Sequence, residues 1–274
     1  MELPLERILD VPRLPARRAE SHKGDYGRVL VVAGSRGFSG AAVLCGRAAL
    51  RGGAGLVTVA CPRDVQDVVA AGNPCYMTAA LPDRAADLPG ADVVAVGPGL
   101  GHAPNVAGLV RELVAGFAGP LVLDADALAA VAPGALARPV PAVLTPHPGE
   151  FARLVGRPVA EVQADREAMA VAYARAWGVV LLLKGSGTVV TDGVRVFVNE
   201  TGNPGMATGG SGDVLTGLIA ALLGQRLPPF EAAALGAWVH GRAGDLAAEQ
   251  FGEVSLTAAD LLDFLPAALK AARR

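Results

Sequence analysis

The sequence predicts an α/β protein in which one mostly parallel central sheet lies between two layers of helices. Two observations carry that expectation. Short, unbroken aliphatic runs recur along the 274 residues, and Ala- and Leu-rich stretches of helical length alternate with them. Alternating strand and helix is what parallel strands joined by crossover helices require. Runs without a polar alternation fit strands covered on both faces.

Taken in order, strands are expected at 28–33, 56–60, 93–96, 121–124, 142–145, 179–184, 188–191 and 194–198, and helices at 40–51, 105–115, 148–155, 159–177, 213–223, 229–250 and 257–272. Residues 1–20 read as an N-terminal extension or a first helix, ahead of a single domain that occupies the chain. Asp192-Gly193 separates two strand runs by two residues, the signal of a tight hairpin, so an antiparallel edge is expected there. Helix 232–248, with Trp238 near its middle, is expected to pack inside the domain. No 20–50-residue repeat and no polar linker interrupts the pattern.

Hydrophobic residues make up 52% and charged residues 18%, ample for a large core and far from a disordered composition. The net charge of −2, with only a short basic tail at 270–274, does not suggest a nucleic-acid surface. Cys45, Cys61 and Cys75 are odd in number and lack paired spacing, so they read as small buried residues in a reducing compartment. The aliphatic runs fall well short of the roughly 18 residues a membrane span needs. No secretory signal is read at the N-terminus, so a cytoplasmic location is expected.

Chemistry is expected on loops that follow strands, because sheets of this kind bind ligands beyond their carboxyl ends. Thr208-Gly209-Gly210-Ser211-Gly212-Asp213 runs straight into an apolar helix. Its glycines let backbone N–H groups converge where the helix start adds unpaired donors, which suits a phosphate. Asp213 then stands in the first helical turn, as either a helix cap or a carboxylate facing the ligand. Lys184-Gly185-Ser186-Gly187-Thr188 follows another strand and reads as either a simple turn or a nucleotide seat; it lacks Walker A spacing. Gly97-Pro98-Gly99-Leu100-Gly101 departs from the dinucleotide fingerprint but permits close backbone approach to a ligand. Two prolines bracket His147 and hold it on a rigid strand-end loop, where it is read as touching a substrate. Residues 35–42 read as pocket wall or as close helix packing. The remaining histidines, His22, His102 and His240, show no metal-ligand spacing.

In this order the segments 22–27, 97–101, 123–128, 145–150, 184–188 and 203–213 resemble the ADP-dependent NAD(P)H-hydrate dehydratases, over roughly residues 20–270. The resemblance implies a ribokinase-like three-layer αβα fold. It implies a lyase that uses ADP, with ATP also possible, to dehydrate the S form of hydrated NADH and NADPH, giving NAD(P)H, AMP and phosphate. By it, Ala41, Gly101, His147 and Asp213 would touch the hydrate, and Lys184, Gly185, Ser186, Gly187, Thr188 and Gly212 the adenine nucleotide. Asp213 would be catalytic, Gly209, Gly210, Ser211 and Gly212 would seat phosphate, and Mg2+ would bridge the phosphates through ligands the sequence does not name. It further implies a homo-oligomer, a tetramer in the family, and epimerisation of the hydrate by a separate protein, since no epimerase domain is read here. Two other readings stay open at this point: a small-molecule kinase of the same fold acting on a vitamin precursor, and a nucleotide-sensing module without turnover.

Overall fold

A computed structural model describes residues 4–131, 136, 140 and 142–272. Among them, ten strands form one sheet: β1 (Glu6–Arg7), β2 (Arg28–Val32), β3 (Leu56–Cys61), β4 (Met77–Ala80), β5 (Val93–Val96), β6 (Leu121–Leu123), β7 (Val143–Leu144), β8 (Val180–Leu183), β9 (Val189–Thr191) and β10 (Arg195–Val198). Their order is β1-β10-β9-β8-β7-β6-β5-β2-β3-β4. Neighbours run parallel, except that β9 is antiparallel to both β8 and β10.

Side chains alternate across the sheet, so each strand feeds two cores. Val29 and Val31 of β2 enter one, Leu30 and Val32 the other. The first core is closed by helices α1 (Ser39–Arg51), α2 (Gln66–Ala71), α8 (Ser211–Gly224), α9 (Pro229–Phe251) and α10 (Ala258–Ala271). The second is closed by α3 (Pro104–Gly116), α4 (Asp126–Ala130), α5 (Pro148–Val155), α6 (Val159–Ala164) and α7 (Arg166–Trp177). The three expected layers are present, and strands covered on both faces explain the unbroken apolar runs.

Strands β2, β3 and β4 step towards one edge, and β5 then returns to the other flank of β2. At such a reversal the loops leaving two adjacent strands diverge and open a crevice beyond their carboxyl ends. The loops concerned follow β2 and β5, and they contain Ala41's approach and Gly97 to Gly101. Helix α8 is buried nearly all round, and it meets α1 backbone to backbone. A Cβ on Gly217 would lie 2.0 Å from the Cys45 carbonyl oxygen, so only glycine allows this contact.

Four expectations need correction. Residues 4–20 contain no helix, so of the two readings the extension alone stands; β1 pairs with β10, and the antiparallel hairpin expected at Asp192-Gly193 is present but lies one strand in from the edge. The expected helix 159–177 divides at Asp165, whose backbone leaves helical geometry (φ −146, ψ 64) while its carboxylate accepts the Ala168 N–H. Cys75 is exposed, unlike Cys45 and Cys61. Strand β4 and helices α2 and α4 were not anticipated. Helix α9 packs inside the molecule as expected, with Trp238 half-buried against the core. Of the basic tail, Arg273 and Arg274 lie outside the described residues.

Candidate active site

Asp124 follows directly on β6 and is 1% exposed. A carboxylate so buried needs partners for both oxygens. Oδ1 accepts from Lys184 Nζ at 2.7 Å, and Oδ2 from the Thr216 hydroxyl at 2.7 Å. It thus ties the end of β6 to the loop after β8 and to α8. The next residue, Ala125, has φ 47 and ψ −119, a conformation that costs a non-glycine residue of order 1–3 kcal/mol. That turn starts α4 and sends Asp126 elsewhere: its carboxylate accepts the Gly101 N–H at 2.7 Å and stands 3.1 Å from His102 Nε2. Two aspartates one residue apart therefore organise two different loops.

Helix α8 begins at Gly210, which lies at φ 91 and offers no side-chain cap. The first backbone donors of the helix accordingly lack intrahelical acceptors. Asp213 is the third residue of the helix, so it does not serve as the cap. Burial pushes its carboxyl up to about 7, the negative charges of Asp124 and Asp126 add to the shift, and Lys184 opposes it. A carboxyl titrating near neutrality is matched to proton transfer at neutral pH. Burial works against the charge of Lys184, but Asp124 and Glu150, 2.7 and 3.8 Å away, outweigh it and hold the ammonium above its ordinary value.

A cavity of about 700 Å3 opens beside this network, within the size range of small-molecule sites. Lys184, Gly185, Ser186, Gly187 and Thr188 line it, with Ser211 and Gly212 from α8 and the segment 199–204. They include all six residues that the resemblance assigns to the nucleotide. Gly209 and Gly210 are outside the lining; Gly209 is exposed, and Gly210 abuts Leu44. Asp213 is also outside it, one residue beyond the Gly212 wall. Ala41 and Gly101 stand apart from this lining, on the loops after β2 and β5 where the strand order reverses; there Ala41 packs close to Gly99 and Asp126 holds Gly101. The charges of Lys184, on the cavity side, and of Asp126, on the Gly101 side, both act on the Asp213 carboxyl.

His147 is the exception to its expected grouping, since it lines the same cavity as Lys184 and does not stand with Ala41 and Gly101. It caps α5: its Nδ1 accepts from Gly149 and Glu150, while Glu150 accepts the His147 backbone N–H at 2.7 Å. Nδ1 is thus taken up as an acceptor by the helix start, and Nε2 lies 3.5 Å from Glu150 Oε1.

Sequence reading quoted Asp124 and Asp126 within a segment but did not single them out, and it passed over Thr216. It also set His240 aside. That ring is buried, its Nε2 donates to the Ser211 carbonyl at 2.9 Å, and burial lowers its pKa to about 4, so it pins the first turn of α8 as a neutral group. Among the described residues no group of three or more His, Cys, Asp or Glu side chains could hold a metal ion, and no helix is long and apolar enough to cross a membrane.

A family model described as NAD(P)H-hydrate dehydratase matches residues 29–267. The chain is 51% identical to a bifunctional NAD(P)H-hydrate repair enzyme of Moorella thermoacetica, over 94% of this chain and 52% of that protein. It is 43% identical to an ADP-dependent (S)-NAD(P)H-hydrate dehydratase of Neisseria meningitidis, over 90% of this chain and 86% of that one. The chain thus spans about half the length of the first of these relatives and most of the second. A Bacillus subtilis ADP/ATP-dependent NAD(P)H-hydrate dehydratase, co-crystallised with ATP/Mg2+, superposes with a TM-score of 0.88 at 34% identity, covering 97% of this chain and 100% of that one. A ribokinase-like superfamily protein of Enterococcus faecalis superposes with a TM-score of 0.84 at 27% identity, covering 98% and 97%.

Proposed function

The chain belongs to the NAD(P)H-hydrate dehydratase family, and from that membership we propose that it dehydrates the S form of hydrated NADH and NADPH at the expense of ADP, giving NAD(P)H, AMP and phosphate. The observation that carries the reading is Asp213: a carboxyl raised to about 7 in the first turn of α8, next in the chain to Gly212, which lines a cavity of about 700 Å3 together with Lys184.

The chemistry follows from that position. Hydroxide is a poor leaving group, and phosphorylation makes it a good one. Asp213 takes the proton of the hydrate's hydroxyl as its oxygen attacks the terminal phosphorus of ADP, and AMP departs. Backbone N–H groups at the start of α8, with the Lys184 ammonium near Gly212, stabilise charge on the phosphoryl oxygens. The ring nitrogen's lone pair then expels phosphate, and loss of a proton from the adjacent carbon restores the dihydropyridine double bond. Lys184, Gly185, Ser186, Gly187, Thr188 and Gly212 hold the nucleotide, while Ala41, Gly101 and His147 contact the hydrate. His147 would do so across the cavity.

For magnesium, the residues present make no cage of three ligands among those described. Mg2+ is commonly held by one or two carboxylates plus substrate phosphates; with both Asp124 oxygens taken by Lys184 and Thr216, Asp126 is the carboxylate that would serve. When bound with the nucleotide it would neutralise phosphate charge. The same reading makes the chain a single-domain, cytoplasmic homo-oligomer, a tetramer, which sedimentation checks. It also has the R epimer converted by an activity outside these 274 residues.

The test is direct. Hydrated NADH incubated with the protein and ADP should regain reduced-nicotinamide absorbance, and no recovery with either ADP or ATP rejects the reading. Transfer of a labelled γ-phosphate from ATP to a stable alcohol, without effect on the hydrate, would instead identify a small-molecule kinase.

A further inference from the structure

Arg166, the first residue of α7, lies beneath the loop after β8. Its guanidinium donates to three carbonyls there: Nη2 to Leu183 and Lys184, each at 3.0 Å, and Nη1 to Ser186. It also fills the space against Gly185, where a Cβ would lie 3.0 Å from Nη2, at a φ of +136 that glycine adopts readily. Its Nε is buried without a partner, and burial holds its pKa below the ordinary arginine value. No carboxylate is paired with it in any ion pair among the described residues.

In a trans peptide the carbonyl of one residue and the N–H of the next point in opposite directions, and no cis bond occurs here. Three carbonyls drawn down to Arg166 therefore send three N–H groups the other way. That of Lys184 is taken by the Pro146 carbonyl at 2.9 Å. Those of Gly185 and Gly187 have no hydrogen-bond acceptor among the described residues, and both residues line the cavity. Two free amides turned to the same side of one loop suit an anion.

We propose that Arg166 is a positioning residue: by gripping the carbonyls of Leu183, Lys184 and Ser186, it aims the Gly185 and Gly187 amides at the phosphates of the adenine nucleotide and sets nucleotide affinity. The inference rests on the nucleotide-driven reading above but deepens it with a residue that touches neither reactant. It adds a positive charge behind the loop that the anionic ligand neutralises.

The test measures ADP binding to the whole protein by calorimetry, alongside steady-state kinetics. Arg166→Ala should weaken ADP about tenfold, the worth of one or two lost hydrogen bonds, while kcat at saturating ADP and KM for the hydrate stay within about twofold. Arg166→Lys, which keeps the charge but not the planar fork, should lie in between. Millimolar guanidinium should restore ADP affinity to the alanine protein, which a general structural defect would not allow. ADP affinity within about twofold of the wild type in both variants would overturn the proposal, as would equal losses in ADP and hydrate binding. If the alanine protein does not fold, the lysine protein decides by the same criterion. Wild-type protein that binds ADP without acting on the hydrate would sink the functional reading alone; wild-type protein that binds neither ADP nor ATP would sink both.

Discussion

At the scale of single residues, Asp213 carries the strongest expectations. Asp213→Asn keeps the shape of the side chain but cannot accept a proton, so turnover should fall by about 10^3-fold or more while ADP affinity changes little. Unchanged turnover would remove Asp213 from the mechanism. The same substitution should alter stability with a definite sign. Folding raises this carboxyl from 3.8 to about 7, so the folded state holds its proton more tightly than the unfolded chain does. That contribution is full below the unfolded value of 3.8 and is lost progressively as pH climbs to 7, leaving an ionised, buried carboxylate that costs about 4 kcal/mol. The asparagine protein should therefore be more stable than wild type at pH 8, with the gap narrowing as pH falls below 7 and closing only near pH 4, as paired denaturant melts would show. The residue itself was legible, because glycines followed by an acid at a helix start form a local pattern. Its controllers were not. Asp124 meets Lys184 and Thr216 across 60 and 92 residues of chain, and no spacing rule reaches that far.

At the scale of elements, the legible ones were those with their own apolar payload. Every strand of four or more aliphatic residues, and every long helix but α7, is readable within a residue or two, because burial leaves a continuous signature. The break at Asp165 was hidden, since a side-chain cap inside an Ala-rich run interrupts no hydrophobic period. Strand β4 sits at the sheet edge with half-exposed residues and so lacks the signature of the buried strands. Helix α4 is five residues long and is set by the strained turn at Ala125, which propensity cannot foresee. That strain is testable. Ala125→Gly removes the Cβ that disfavours a positive φ and should raise stability by about 1 kcal/mol, or the melting temperature by about 2–4 °C. A lower melting temperature would mean that contacts of the Ala125 methyl outweigh the backbone cost.

At the scale of the whole molecule, the sheet order explains why one carboxylate can govern two ligands. The strand reversal brings the loops after β2 and β5 side by side, while the loops after β8 and β10 wall the 700 Å3 cavity. Asp124, at the end of the intervening β6, joins the cavity side to α8 through Lys184 and Thr216. Its charge also raises the Asp213 pKa. Replacing it should be felt in both ways. In Asp124→Asn the Lys184 ammonium loses its closest counter-charge in a buried setting, a loss of about 3–5 kcal/mol. With one negative neighbour gone and the cation less compensated, Asp213 should ionise more readily, so the activity that rises through about pH 7 in the wild type should rise at lower pH. Residual activity against pH and a denaturant melt on the same preparation separate the two effects. An unmoved midpoint alongside a loss of stability would show that Asp124 only supports the fold, and that the tuning of Asp213 comes from its burial.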